Sequence, residues 1–274
     1  MNGRVWLITG ATSGFGRALA EAAIADGDVV VAAVRRPEAL GDLTGRVSPV
    51  RLDVTDLSAM PAAVDQVFQQ HGRVDVLVNN AGRGHLGAVE ETTDNELRQL
   101  MDLHFFGPAE LTRLILPSMR RQRSGAIVQM SSMGGRVVFP GVGGYCATKF
   151  ALEGWSTALS QELKPFGVTV VIVEPGAFRT GFNGGTAIGI SDPVADYDDQ
   201  IAPLRDSFAT ADGRQPGDPN KAAHAIIAAL ADGEPPLHLV LGSDAIELVQ
   251  TSLSAQTAEL TEWAHLSRST NFVG

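Results

Sequence analysis

Short, continuous apolar runs alternate along the chain with longer stretches in which apolar positions recur every three to four residues. The continuous runs are VWLIT (Val5–Thr9), VVVAAV (Val29–Val34), VDVLVN (Val74–Asn79), AIVQM (Ala126–Met130), VTVVIVE (Val168–Glu174) and LHLVLG (Leu237–Gly242). They are β-branched and unbroken rather than alternating, the pattern of strands buried on both faces of a parallel sheet. VSPVRLDV (Val47–Val54) is a weaker seventh run, because Pro49 lacks the N–H a central strand needs.

The helical periodicity falls between these runs, over Gly14–Ala25, Leu57–Gln70, Asn95–Met119, Tyr145–Leu163 and Pro219–Leu230. Strand–helix alternation of this kind predicts an α/β fold: one doubly wound, Rossmann-type parallel sheet of about seven strands with helices on both faces. No linker divides the chain, so residues 1–274 are expected to form a single domain. The segment Phe182–Gly217 breaks the alternation. It is rich in Gly, Asp, Ala and Pro, with one helical piece near Asp199–Phe208, and its place after the sixth strand predicts a lid over a ligand.

Charge and composition narrow the function. The formal net charge is −10 and no Lys/Arg-rich run is present, which argues against nucleic acid as a partner. Cys146 is the single cysteine, so no intrachain disulfide can form, and none of the six histidines forms a metal-spaced pair; no metal is expected. The N-terminus enters a strand directly and no apolar stretch approaches membrane-spanning length. A soluble, cytoplasmic protein is the expectation.

Three motifs carry chemistry. ITGATSGFG leaves the first strand and opens the first helix, where glycines let a backbone approach a pyrophosphate and the helix N-terminus offers N–H donors. The second strand ends in Arg35 and Arg36, and a guanidinium can chelate a phosphate that a carboxylate would repel. GYCATKFALEG places Tyr145 and Lys149 one helical turn apart, on one face.

Taken together, the T-G-x-x-x-G-x-G spacing of Thr9–Gly16, the NNAG of Asn79–Gly82, Ser132 thirteen positions before Tyr145, and Tyr145-x-x-x-Lys149 resemble the short-chain dehydrogenase/reductase family over nearly the whole chain. The resemblance implies that a nicotinamide dinucleotide is held by Gly10, Ser13, Gly14, Phe15 and Gly16, by Asp53 and Val54 near the adenine, by Asn80, Ala81 and Gly82, by Tyr145 and Lys149, and by Pro175, Gly176, Phe178 and Thr180 beside the nicotinamide. Asp53 could instead cap the helix expected near Leu57. Val34 stands where NAD-preferring members carry Asp, so NADP(H) is the preferred cofactor, with Arg35 its main contact and NAD(H) possible; the two arginines could also be plain surface charges.

The same resemblance makes Tyr145 the general acid/base of a ketone–alcohol interconversion, Ser132 the donor to the substrate oxygen and Lys149 the cation beside the phenol. A phenol has a pKa of about 10. A unit charge ~4 Å away at an effective dielectric of ~20 is worth about 4 kcal/mol, enough to lower that value by up to ~3 units before screening. Ser131 reads as a structural or cofactor-side hydroxyl. His104 departs from the family, which carries Asn there to hold a proton-relaying water. Three readings stand: His104 replaces the Asn in the relay, blocks it, or is a hydrogen-bonded core histidine. A serine hydrolase is excluded by the absence of a G-x-S-x-G elbow.

The expected substrate walls are His85, Leu86, Met133, Phe139, Val142, Phe178 and Phe182, mostly apolar, which favours an apolar small-molecule carbonyl or alcohol. The resemblance also implies a homodimer or homotetramer built on the helices beginning near Asn95 and Tyr145; Leu100, Leu111, Leu152 and Trp155 are candidates for that seam or for the core. The rival to a reductase is a non-catalytic NADP(H)-binding sensor on the same fold.

Overall fold

A computed structural model of the chain describes residues 3–182, 184 and 187–272. Its elements in chain order are β1 (Val5–Thr9), α1 (Gly14–Ala25), β2 (Val29–Val34), β3 (Ser48–Arg51), α2 (Met60–His71), β4 (Val76–Asn79), β5 (Gly84–Leu86), α3 (Asp94–Met101), α4 (Gly107–Gln122), β6 (Gly125–Met130), α5 (Gly143–Leu163), β7 (Val168–Pro175), β8 (Ile188–Ile190), α6 (Asp198–Ala211), α7 (Pro219–Ala231), β9 (His238–Leu241) and α8 (Ser243–Arg268). Seven strands form one parallel sheet in the order β3-β2-β1-β4-β6-β7-β9. This is the single α/β, Rossmann-type domain that the strand–helix alternation predicts. Pro49 lies in β3, at the sheet edge, where a missing N–H costs least.

The continuous apolar strands bury both faces. One face packs Leu7, Val31 and Ile127 against α2, α4 and α5 through Val64, Ile115 and Leu159; the other packs Trp6, Val30 and Val171 against α1 and α7 through Leu19 and Ile226. Leu100, Leu111 and Leu152 are buried, so they serve the core and not an outward seam.

The strand order reverses between β1 and β4, and their carboxyl ends part around a crevice, the usual ligand position in such sheets. Thr9 fixes its floor. The Thr9 hydroxyl accepts the backbone N–H groups of Asn80 (2.9 Å) and Ala81 (3.0 Å), tying the end of β1 to the end of β4.

The helix expected over Asn95–Met119 is two α-helices joined by a π turn at Asp102–Phe106. Pro108 has no N–H to continue an α-helical ladder, and the wider turn absorbs the break. π turns of this kind recur at functional sites, and this one carries His104. The helix expected from Leu57 starts at Met60, because Asp56 accepts from the N–H groups of Ser58 (3.1 Å) and Ala59 (3.2 Å) and holds the preceding residues in a turn.

Segment 182–217 has more order than its composition suggests. β8 pairs in parallel with β5, and α6 begins one residue before the expected helical piece and continues past its end to Ala211. Three of its residues, 183, 185 and 186, lie outside the described residues.

Candidate active site

The crevice opens into a cavity of about 1190 Å³. Its lining includes Gly10, Ser13, Gly14 and Phe15 of the glycine turn, Arg35 and Arg36 at the end of β2, Asp53 and Val54, Asn80–Gly82, and Pro175, Gly176, Phe178 and Thr180 after β7. Gly10 takes φ +69°, a conformation L side chains rarely adopt. Gly16 is buried beneath the turn, where a Cβ would lie 2.4 Å from the Asn80 amide and 2.5 Å from the Gly10 carbonyl. The Ser13 side chain makes no capping bond to α1, so the first N–H groups of that helix are left for a ligand. Asp53 accepts from the N–H (3.0 Å) and hydroxyl (2.8 Å) of Thr55 and does not cap a helix. Arg35 and Arg36 are exposed at the cavity rim and form no ion pair among the described residues. The donor set fits a dinucleotide: uncapped helix N–H groups, a glycine turn without side chains over them, and free guanidinium groups at the far end.

At the other end of the cavity, α5 presents Tyr145 and Lys149, and the end of β6 leads into Ser132. Ser132 is held by its own turn, its Oγ accepting the N–H of Gly134 at 3.0 Å. Lys149 is 5% exposed, and its Nζ donates to the Met130 carbonyl at 2.8 Å while standing 5.7 Å from the Tyr145 ring centroid. Burial pushes the Tyr145 phenol up to about 12, against a smaller pull downward from its hydrogen bond with Ser132. Part of the ring faces the open cavity, where water tempers that rise. Burial also brings the Lys149 ammonium down to about 8, opposed by the nearby Glu153 carboxyl. The sequence-based expectation that Lys149 draws the phenol toward neutrality is therefore countered within the protein itself: desolvation is the largest influence on both groups.

His104 is 1% exposed, under the edge of Tyr145, with ring centroids 5.5 Å apart. Its Nε2 accepts the backbone N–H of Arg83 at 3.1 Å, which leaves Nδ1 as the protonated nitrogen, 2.9 Å from the Thr148 hydroxyl. Thr148 in turn donates to the Tyr145 carbonyl at 2.7 Å. Burial first, then the charges of Lys149 and Arg83, hold the imidazole pKa well below its ordinary value, so the ring is neutral.

The short chain dehydrogenase family model matches residues 4–187. The chain belongs to the short-chain dehydrogenase/reductase family of oxidoreductases. A solved short-chain dehydrogenase from Streptomyces avermitilis is 50% identical, superposes with a TM-score of 0.94 and is covered over 99% of this chain and 100% of its own. A 3-ketodihydrosphingosine reductase of Bacteroides thetaiotaomicron is 37% identical over 88% of this chain and 89% of its own length. A Burkholderia cenocepacia short-chain dehydrogenase solved in complex with NADP is 27% identical, with a TM-score of 0.75 and coverage of 95% and 97%.

Of the expected substrate walls of this dehydrogenase, His85, Met133, Phe139, Val142, Phe178 and Phe182 line the cavity, whereas Leu86 lies behind it in a small apolar cluster with Val142 and Cys146. Leu204 and Phe208 of α6 add a wall that the sequence did not single out. The sequence reading also missed the groups that hold the cavity's margins. Asp244, at the start of α8, accepts the Ala177 N–H at 2.7 Å and fixes the loop after β7. Glu91, fully buried, accepts from Ala88 N (2.7 Å), Val194 N (2.9 Å) and Arg205 Nη2 (2.9 Å), and so fastens segment 182–217 to the loop after β5. Nothing in the chain signals the pairings of Asp244 with Ala177 and of Glu91 with Val194 and Arg205, because each joins residues far apart in sequence. No helix among the described residues is long and apolar enough to cross a membrane.

Proposed function

We propose that this short-chain dehydrogenase is an NADP(H)-dependent carbonyl reductase, interconverting an apolar ketone or aldehyde with its alcohol, with Tyr145 as general acid/base. The carrying observation is the convergence of Ser132, Tyr145 and Lys149 on one wall of the cavity that the glycine turn enters. The dinucleotide, when bound, supplies or accepts the hydride. Gly10, Ser13, Gly14, Phe15, Asp53, Val54, Asn80, Ala81, Gly82, Pro175, Gly176, Phe178 and Thr180 would hold it, with Gly16 packed beneath the turn, and exposed Arg35 favours a 2′-phosphate.

Tyr145 gives its phenolic proton to the carbonyl oxygen as negative charge develops there. Ser132, pinned by Gly134, offers its hydroxyl to the same oxygen as a preorganised donor. Lys149 keeps a cation beside the phenolate and so offsets the desolvation that opposes it. We read His104 as a neutral brace that fixes the backbone of Tyr145 through Thr148, since both its ring nitrogens are engaged. Phe139, Val142, Leu204 and Phe208 supply apolar walls, and segment 182–217 acts as the lid. Exposed Leu97, Phe106 and Phe150 on α3–α5 support self-association as a homodimer or homotetramer.

The test is a panel of ketones and alcohols with both coenzymes, followed by nicotinamide absorbance, beside Tyr145→Phe. Turnover with NADPH that vanishes in Tyr145→Phe is expected. Coenzyme binding without turnover on any substrate would favour a non-catalytic NADP(H) sensor.

A further inference from the structure

Glu153 stands one helical turn beyond Lys149 on α5 and is 7% exposed. Its carboxyl meets groups from every element packed around it. The Ser131 hydroxyl adjoins it from the end of β6, and Ser131 also lines the cavity. Glu174, near the end of β7, has a fully buried side chain. His238, at the start of β9, sets Nδ1 2.6 Å from Oε1 of Glu174 and 3.4 Å from Oε2 of Glu153. Arg136, in the turn after β6, places Nη1 3.1 Å from the same Glu174 oxygen. Lys149 and Glu153 lie one turn apart on the same face of α5, and the 35%-exposed His238 side chain carries the cluster to solvent.

The charges in this cluster are not evenly matched. Arg136 neutralises Glu174, while among the described residues neither oxygen of Glu153 is reached by a donor in good hydrogen-bond geometry. Buried without a dedicated partner, a carboxyl keeps its proton. Desolvation and then the neighbouring Glu174 charge outweigh Ser131, Arg136 and Lys149, raising Glu153 to about 7. Lys149, brought down to about 8, lies close to it in proton affinity. On the opposite side of α5 His104 offers no relay, since its neutral ring has both nitrogens engaged.

We propose that Glu153 and His238 form a proton path that recharges Lys149 from solvent, a role that rests on Tyr145 and Lys149 being the acid/base pair. In reduction, the phenol's O–H bond breaks as the product alcohol's O–H bond forms. The phenolate regains its proton at the expense of the Lys149 ammonium. The resulting amine takes the carboxyl proton of Glu153 through water across that helical turn, and the carboxylate regains one from the Nδ1–H of His238 as the imidazole takes another from solvent at Nε2. One proton enters per alcohol formed, and oxidation runs the path outward. These steps need no oxidant or reductant. Glu153 and His238 touch no reacting atom; they act through Lys149.

The experiment compares Glu153→Gln, Glu153→Asp and His238→Ala with the wild type, using NADPH and a ketone that the substrate panel turns over, between about pH 6 and 9. In Glu153→Gln and His238→Ala, kcat falls about tenfold or more with KM unchanged, and the limb of the kcat profile belonging to Glu153 disappears. Glu153→Asp restores that limb, and free imidazole restores His238→Ala. In the coenzyme-free protein, the infrared band of a protonated carboxyl titrates near neutral pH in the wild type and is missing from Glu153→Gln. Wild-type kcat profiles in both variants, no rescue by imidazole, or a carboxyl band unchanged in Glu153→Gln would each overturn the path. Should Tyr145→Phe retain full turnover, the acid/base reading itself fails; a dead Tyr145→Phe beside unaltered Glu153→Gln and His238→Ala profiles rejects the path alone.

Discussion

The backbone N–H of Arg83 donates to Nε2 of His104 at 3.1 Å, and this one bond fixes the imidazole tautomer next to α5. The ring then presents its proton to Thr148, and Thr148 holds the Tyr145 carbonyl. Protonating His104 would cost the Arg83 bond and bury a charge near Lys149.

That arrangement has a stability consequence. The unfolded chain takes up a proton as pH falls through the ordinary histidine value of 6.5, whereas folded His104 does not. Below that value the unfolded state binds more protons, so the stability of the fold decreases as pH falls, by up to ~1.4 kcal/mol per pH unit. His104→Asn should flatten this slope in denaturant titrations across the acid range and retain activity, because the amide can still accept from Arg83. An unchanged slope would show that His104 already ionises in the fold.

Glu153 behaves in the reverse sense. Its carboxyl ionises near 4.5 when unfolded and at about 7 when folded, so the fold binds the extra proton between those values. Its contribution to stability is present below pH 4.5, declines as pH rises and is lost by about pH 7. Glu153→Gln, permanently neutral, is expected to be more stable than the wild type above pH 7 by roughly 1–3 kcal/mol, measured by chemical denaturation at acid and alkaline pH. Equal stability at both ends would contradict the raised value.

Arg35 tests coenzyme selection. Arg35→Asp replaces a fork of donors with a charge that repels a 2′-phosphate, and the NADPH/NADH ratio of kcat/KM should fall by about 100-fold or more. A ratio left unchanged removes Arg35 from the site.

Arg205 tests the fastening of segment 182–217. Its guanidinium is 17% exposed and pairs with the fully buried Glu91 at 2.9 Å. Arg205→Ala strands that carboxylate, at a cost of about 3 kcal/mol. The substrate KM should rise more than kcat falls, and protease cleavage should concentrate between β8 and α6. Unaltered KM and cleavage would mean that the pair does not hold the segment.

The sheet was legible from the chain alone because burial on both faces demands unbroken apolar runs, and such runs are local. The motifs that carry the family resemblance, the glycine turn, Ser132 and the Tyr145/Lys149 pair, are local for the same reason: each is a fixed offset within one strand–turn–helix unit, and the resemblance names them as candidates. The tertiary structure alone decided what surrounds them. Parallel strands bring Glu174 and His238 together across 64 residues, and β8 reaches back to β5 across about a hundred, so neither pairing leaves a mark in sequence spacing. The π turn at His104 and the desolvation at Tyr145 and Lys149 belong to the same class. A sequence specifies which groups can carry charge; how strongly each holds its proton depends on the water excluded around it, and only the packed fold sets that.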